Sequence, residues 1–269
     1  MTDNIIDYYS QFDEWGRLDR EPLEFTINMH FIKQHLASAQ AVLDNGAGPG
    51  KYAMELAKLG YNVTLSDLTP RLVEIAKQKV SELDLNDHFN GFHVLNATHL
   101  DGIPDEQFDA SLMLGPLYHL QLEEERVLAV KELYRVTKRD GIVFVAFQSR
   151  MRMTITSLQF PQFWKPNDNM DAIQEFNDTG IFNHKDKGRF TGAYYFSIDE
   201  IKPFMEKNGF QTIDLIGSSS IGALLNQEQK QYWTDRGEED RLLDFLISSA
   251  NDPSVLGVSS HLLYIGRRK

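Results

Sequence analysis

Between residues 41 and 148, short apolar or β-branched runs alternate with longer, more polar stretches of helical character. The short runs fit strands and the longer stretches fit helices with one buried stripe. Ala41–Asp44 predicts a short buried strand, and Lys51–Leu59 a helix closed by Gly60. Asn62–Asp67 (NVTLSD) predicts a second strand. Pro70 then opens a helix that runs to about Leu83, a position where the missing N–H of proline has no partner to lose. Phe92–Leu95 and Phe108–Leu114 (FDASLML) predict two further strands, Glu123–Thr137 an amphipathic helix, and Gly141–Gln148 (GIVFVAFQ) another strand. Such alternation builds βαβ units and a mostly parallel sheet, which binds ligands outside the carboxyl ends of its strands.

One of those ends carries the stretch LDNGAGPGKY, Leu43 to Tyr52. A phosphate-cradling P-loop requires Gly, four residues, then Gly-Lys-Ser/Thr. Here Asn45 stands where the first glycine belongs, and Tyr52 where the magnesium-binding hydroxyl belongs. The dinucleotide fingerprint fits through Gly46-x-Gly48, but Lys51 occupies its third glycine position. What remains is Gly46-x-Gly48-x-Gly50 behind an apolar run that ends in Asp44. Asp67 ends the second strand, where a carboxylate can accept hydrogen bonds from both hydroxyls of a ribose. Its plainer use is to cap the helix that Pro70 opens. Asn96-Ala97 follows the third strand, where an amide could read an adenine edge or cap a turn. Leu114 to His119 follows the fourth and should face the ligand's reactive end.

Composition narrows the chemistry. The 269 residues include no cysteine, so thiolate zinc sites, disulfides and cysteine nucleophiles are excluded. The formal net charge of −12 argues against a broad nucleic-acid surface, which needs clustered Lys and Arg. Met1-Thr2-Asp3-Asn4 lacks the pattern of a signal peptide, and no apolar stretch has the length of a membrane span, so the expectation is a cytoplasmic protein without a membrane partner.

Taken in order, VLDNGAGPG, LSD, LNA, FDASLMLGPLYHL and ELYRVTKRDGIVFVAF resemble the motifs of a class I S-adenosylmethionine-dependent methyltransferase. The likeness is to the small-molecule, "type 11" and ubiquinone-biosynthesis group. It covers positions 41 to 148 and extends to an ending, GFQTIDLIG and SSHLLYIGRRK, similar to the family's last two strands. The resemblance implies an α/β, Rossmann-like, doubly wound seven-stranded sheet, mostly parallel with an antiparallel C-terminal strand and helices on both faces. It divides the chain into an N-terminal helical lid (1–40), a cofactor-binding core (41–150), an insertion over the acceptor site (151–195) and the C-terminal part of the core (196–269).

The same resemblance implies roles by position. Gly46, Gly48 and Gly50 would bring backbone against the methionine portion of S-adenosylmethionine, and Asp44 would help hold its amino group. Asp67 would take the ribose hydroxyls, with Leu68 packing on the adenine. Asn96 and Ala97 would read the adenine edge, and Leu114 would approach the amino-acid portion. Many relatives carry Asp where Asn96 stands, and an apolar residue where Asn45 stands.

A sulfonium donates its methyl by in-line displacement, giving S-adenosylhomocysteine, and needs no metal. The chain shows no two-His-plus-carboxylate pattern on a helix, so no metal is expected. Alignment of the reactants is the enzyme's main task. Tyr8, Tyr9, Phe12 and Trp15 could supply an aromatic lid over the cation, or pack as an ordinary helix into the core. Arg150–Tyr195 mixes aromatics, Trp164, Phe182 and Phe190 among them, with charged residues, and is expected to arch over the methyl and wall an acceptor pocket. Packing against a second subunit in a homodimer is the other use for it. His119 could be the base if the acceptor is a hydroxyl, or a hydrogen-bonding support. The expected function is methyl transfer to a small molecule. Three other readings stand beside it: an RNA or protein methyltransferase, a nucleotide-binding oxidoreductase, and a non-catalytic S-adenosylmethionine-binding protein.

Overall fold

The computed structural model describes residues 2–10, 15–16, 22–36, 41–185 and 192–269. Helices α1 (Thr2–Tyr9) and α2 (Pro22–His35) precede the first strand. Alternation then follows the hydrophobic pattern: β1 (Ala41–Asn45), α3 (Lys51–Lys58), β2 (Asn62–Asp67), α4 (Pro70–Glu82), β3 (Phe89–Val94) and β4 (Phe108–Met113). The short α5 (Pro116–His119) and α6 (Glu123–Val136) lead to β5 (Thr137–Gln148). Next come α7 (Arg150–Gln159), α8 (Met170–Thr179) and a two-stranded ribbon of β6 (Ile181–Phe182) and β7 (Ala193–Tyr194). The chain returns through α9 (Ile198–Lys207), β8 (Phe210–Gly217), α10 (Gln227–Asp235), α11 (Glu239–Ser248), α12 (Pro253–Leu256) and β9 (His261–Arg268).

Seven strands form one sheet in the order β3-β2-β1-β4-β5-β9-β8. All pairs are parallel except those made by β9, which runs antiparallel to both β5 and β8. The expected fold is therefore present. Two strands start earlier than expected, at Phe89 and Thr137, because pairing with β2 and β4 continues into more polar sequence past a shift of register. The last two strands pair as expected but not as a tight hairpin, since residues 218–260 carry α10, α11 and α12 between them.

One face of the sheet (Val42, Val63, Leu65, Ala110, Leu112, Phe144, Ile216, Leu263, Ile265) packs against α2, α3, α4 and α11. The other (Met113, Val143, Val145, Phe147, Leu215, Leu262, Tyr264) packs against α6 and α9. Fully buried strands read as continuous apolar runs for this reason. The strand order reverses between β1 and β4, where Asp44 pairs with Leu112. The crossover helices leave in opposite directions there, opening a crevice at the carboxyl ends. Among the described residues no helix is long and apolar enough to cross a membrane.

Residues 150–195 build a small core of their own from Met153, Phe176, Phe182, Ala193 and Tyr195, with Trp164 packed against it. Burial raises the Tyr195 hydroxyl far above its ordinary value. This unit is pinned to the segment after α5. Gln121 Nε2 donates to Asn183 Oδ1 at 2.8 Å, and the buried Arg126 guanidinium lies 3.6 Å from the centre of the Tyr194 ring. Arg126 Nη1 also donates to the carbonyls of Leu120 and Gln121 at 2.9 and 2.8 Å.

Candidate active site

The crevice at the switch point holds a cleft of about 1020 Å³, open mouth included. Its floor is the glycine loop. Gly46, Gly48 and Gly50 adopt φ of 73°, 57° and 83°, left-handed values that disfavour any side chain. At Gly46 a Cβ would also lie 2.1 Å from Cγ of Pro116, so only glycine lets the turn after β4 close over the turn after β1. Gly48 N–H donates to Asp67 Oδ2 at 2.8 Å, and Thr69 N–H donates to Asp67 Oδ1 at 2.8 Å. Asp67 thus braces the loop and the start of α4 together. A carboxylate has about four acceptor positions, so bracing and ligand binding are compatible.

Asn45 has a structural explanation. It is buried, and its Oδ1 accepts from Ser66 Oγ at 3.1 Å, tying the end of β1 to β2. Asp44 is buried beside it, and its Oδ2 has no hydrogen-bond partner. Burial, reinforced by the nearby Asp67 carboxylate, pushes Asp44 up to about 7 despite a backbone hydrogen bond from Ala53. Burial likewise raises Asp67, opposed by its hydrogen bonds to Thr69 and Gly48. Two buried carboxylates with one unpartnered oxygen form a site short of a cation.

Of the residues singled out in the sequence, Asp44, Gly46, Gly48, Asp67, Leu68, Asn96, Ala97, Leu114, His119 and Tyr9 all line this cleft. Gly50 lies just beyond it, where a Cβ would press on Leu65 at 2.8 Å. Asn96 also caps a turn, its Oδ1 accepting from Thr98 N–H at 3.0 Å. Lys51, Tyr52, Thr69, Leu72, Pro116 and Tyr118 line the cleft without having been assigned a role from sequence. Of these, Pro116 and Tyr118 stood in a stretch expected to face the ligand.

The expected lid and acceptor residues divide. Tyr9 reaches the cleft, its hydroxyl 3.0 Å from His119 Nε2, and Tyr8 packs edge-on against Tyr9. Trp15 does not line the cleft. Its ring lies 5.6 Å from the Lys51 ammonium and 5.5 Å from that of Lys79, outside the wall. Trp164 and Phe182 depart from the expectation that they wall the acceptor pocket. They face each other at 6.3 Å inside the insertion's own core and contribute nothing to the lining. A mini-core of so few residues consumes its largest aromatics in holding itself together. Phe12 and Phe190 lie outside the described residues.

His119 is buried, and desolvation lowers it to about 4, against a hydrogen bond with the Gly192 backbone that raises it, while nearby His261 lowers it further. It is therefore held neutral near pH 7. Among the described residues no group of three or more His, Asp or Glu is arranged to hold a metal ion.

Residues 43–145 match the family model described as "Methyltransferase domain". They span β1 to β5 and every turn that lines the cleft's floor. The chain is a class I S-adenosylmethionine-dependent methyltransferase. It is 24% identical to a glycine/sarcosine N-methyltransferase of Aphanothece halophytica over 80% of this chain and 81% of that one. Among solved structures it resembles an S-adenosylmethionine-dependent methyltransferase of Methanosarcina mazei, with a TM-score of 0.58, 18% identity, and 88% and 96% of the two chains covered. It also resembles the 1,6-didemethyltoxoflavin-N1-methyltransferase of Burkholderia thailandensis, solved with its acceptor and S-adenosylhomocysteine. There the TM-score is 0.60 and the identity 14%, over 99% and 86% of the two chains. These structural likenesses establish the fold. The methyltransferase's own residues fit its cofactor: the partnerless Asp44 oxygen suits an ammonium, and the glycine-rich loop suits a ligand that must lie against backbone.

Proposed function

We propose that this methyltransferase acts on a small-molecule acceptor inside the cleft. The observation that carries the reading is the lining itself. Lys51 is its one ammonium among the described residues, while Asp44 and Asp67 are carboxylates and His119 is neutral. A polymer enzyme needs a basic approach that neutralises phosphates. The acceptors named for the two relatives, glycine or sarcosine in one and 1,6-didemethyltoxoflavin in the other, are small molecules and agree with this reading.

When bound, S-adenosylmethionine supplies a sulfonium methyl, which an acceptor lone pair captures in line as the carbon–sulfur pair leaves with sulfur to give S-adenosylhomocysteine. The chain's residues bind and orient. Asp44 accepts from the ammonium, and Asp67 accepts from the ribose hydroxyls while keeping its two backbone donors. Asn96 and Ala97 would read the adenine edge and Leu68 would pack on its face. Leu114 would approach the amino-acid portion. Tyr9, held by His119, closes the mouth and excludes water. Correct alignment can be worth about 7–11 kcal/mol.

Incubation with methyl-labelled donor and a fractionated metabolite extract should label a small product. Catalytic, salt-sensitive methylation of RNA, with no labelled metabolite, would overturn the reading.

A further inference from the structure

At the carboxyl edge of the sheet Gln148 ends β5, His261 begins β9 and Ser218 directly follows β8. Gln148 pairs with His261, and Ser218 N–H donates to the His261 carbonyl at 2.9 Å. Alternate strand residues share a face. The row therefore continues the layer that holds Phe144 on β5, Leu263 on β9 and Ile216 on β8, the layer covered by α2. Beyond that apolar layer the face turns polar.

Each member of the row holds a buried side-chain atom with no hydrogen-bond partner: Gln148 Oε1, His261 Nδ1 and Ser218 Oγ. Gln148 is 7% exposed and Ser218 is 0% exposed. Glu24 on α2 brings its Oε2 to 3.2 Å from His261 Nδ1, close enough for an ion pair but without hydrogen-bond geometry. The row adjoins the cleft through Tyr118, which lines the cleft and lies 5.7 Å, ring to ring, from His261.

Buried polar atoms in folded proteins nearly always have a partner. Three such atoms without a hydrogen bond, at neighbouring strand ends, call for one group that serves them together. Gln148 Oε1 and the Glu24 carboxylate can only accept, while Ser218 and His261 can accept as well. A hydroxyl offers one donor to such a set. An ammonium offers three, and its charge complements Glu24.

We propose that Gln148, Ser218 and His261, with Glu24 beside His261, form the subsite that anchors an amino group of the methyl acceptor. The proposal rests on the small-molecule reading and adds the acceptor's chemical class.

The test uses the full chain loaded with S-adenosylhomocysteine and matched probes: glycine against glycolate, and 2-phenylethylamine against 2-phenylethanol. Saturation-transfer NMR should show the amines binding and the alcohols binding at least about tenfold more weakly. Gln148→Leu and Ser218→Ala should each weaken amine binding roughly tenfold to hundredfold, with S-adenosylhomocysteine affinity unchanged by calorimetry. Glu24→Gln, at a partly exposed position that leaves the core intact, should weaken the amines and spare the alcohols. If the row merely encloses water, the variants will shift Tm and leave amine affinity alone, and the proposal fails. Alcohols that bind as well as amines overturn it too, yet leave a small-molecule acceptor standing. Labelling of RNA or protein, with neither probe class bound, would instead remove the small-molecule reading underneath.

Discussion

On the β1–β2–β3 side of the switch point the cleft is walled by backbone. Left-handed glycines leave no side chains between Asp44 and Lys51 except Asn45, Ala47 and Pro49, and Asp67 holds the loop by two amide hydrogens. On the β5–β9–β8 side the wall is made of side chains from distant parts of the chain: Tyr9 from α1, His119 and Tyr118 from α5, and behind them His261 and Glu24. The first construction is local and stiff and suits a ligand that never changes. The second is assembled by packing, and a few substitutions can remake it for a different acceptor.

The most severe way to separate the halves is Phe182→Ala. Removing a fully buried aromatic from the insertion's small core should cost about 3–5 kcal/mol of local stability. Hydrogen exchange should show residues 150–185 opening while S-adenosylhomocysteine affinity stays within about twofold. A matching loss of cofactor affinity would show the halves to be coupled through Gln121 and Arg126.

Gly46→Ala attacks the other half. Left-handed strain plus collision with Pro116 should cost about 2–4 kcal/mol, seen as a lower Tm and near-complete loss of S-adenosylhomocysteine binding. Asp67→Ala should weaken S-adenosylmethionine and S-adenosylhomocysteine alike, by about 1.5–3 kcal/mol or roughly tenfold to hundredfold. Unchanged calorimetric affinity in the folded variant would leave Asp67 with its bracing role alone, and tighter binding of NAD than of S-adenosylhomocysteine by the native protein would favour an oxidoreductase.

A pH series sharpens the assignment of Asp44. Its folded value is raised from 3.8 to about 7, so in the free protein its contribution to stability is fully present below the unfolded value and is lost as pH rises through about 7. A bound ammonium favours the ionised form. Affinity for S-adenosylhomocysteine should therefore fall as pH drops below about 7, approaching tenfold per unit, about 1.4 kcal/mol. Asp44→Asn should flatten the profile, and a profile equally steep in that variant would move the titration elsewhere.

The smallest effect belongs to the Tyr9–His119 pair. A hydrogen bond between neutral groups contributes about 0.5–1.5 kcal/mol, so His119→Ala and Tyr9→Phe should each reduce turnover by a few-fold to about tenfold. Loss of about 10²–10⁴-fold in His119→Ala, with a rate inflection near its pKa, would identify it as a general base.

The sheet, its order of elements and the glycine-loop side of the cleft were legible in the sequence. Strand burial leaves continuous apolar runs. A backbone that must lie against a ligand leaves glycines, and a loop brace leaves an acid at a strand end, so Gly46, Gly48 and Asp67 announce themselves within a few residues of one another. Whether Asn45 disturbs the loop was not legible, because its answer is Ser66 on a neighbouring strand. Nor was the fate of Trp164 and Phe182. Aromatics that wall a pocket and aromatics that fill a core look alike in sequence, and only packing tells them apart. The Gln148–His261–Ser218 row joins residues 113 positions apart in the chain, His261 being brought beside Gln148 by antiparallel pairing. Local sequence determines backbone geometry because its constraints act between near neighbours. The acceptor side was decided by tertiary structure, because burial and unpartnered polar atoms exist only once distant strands have met.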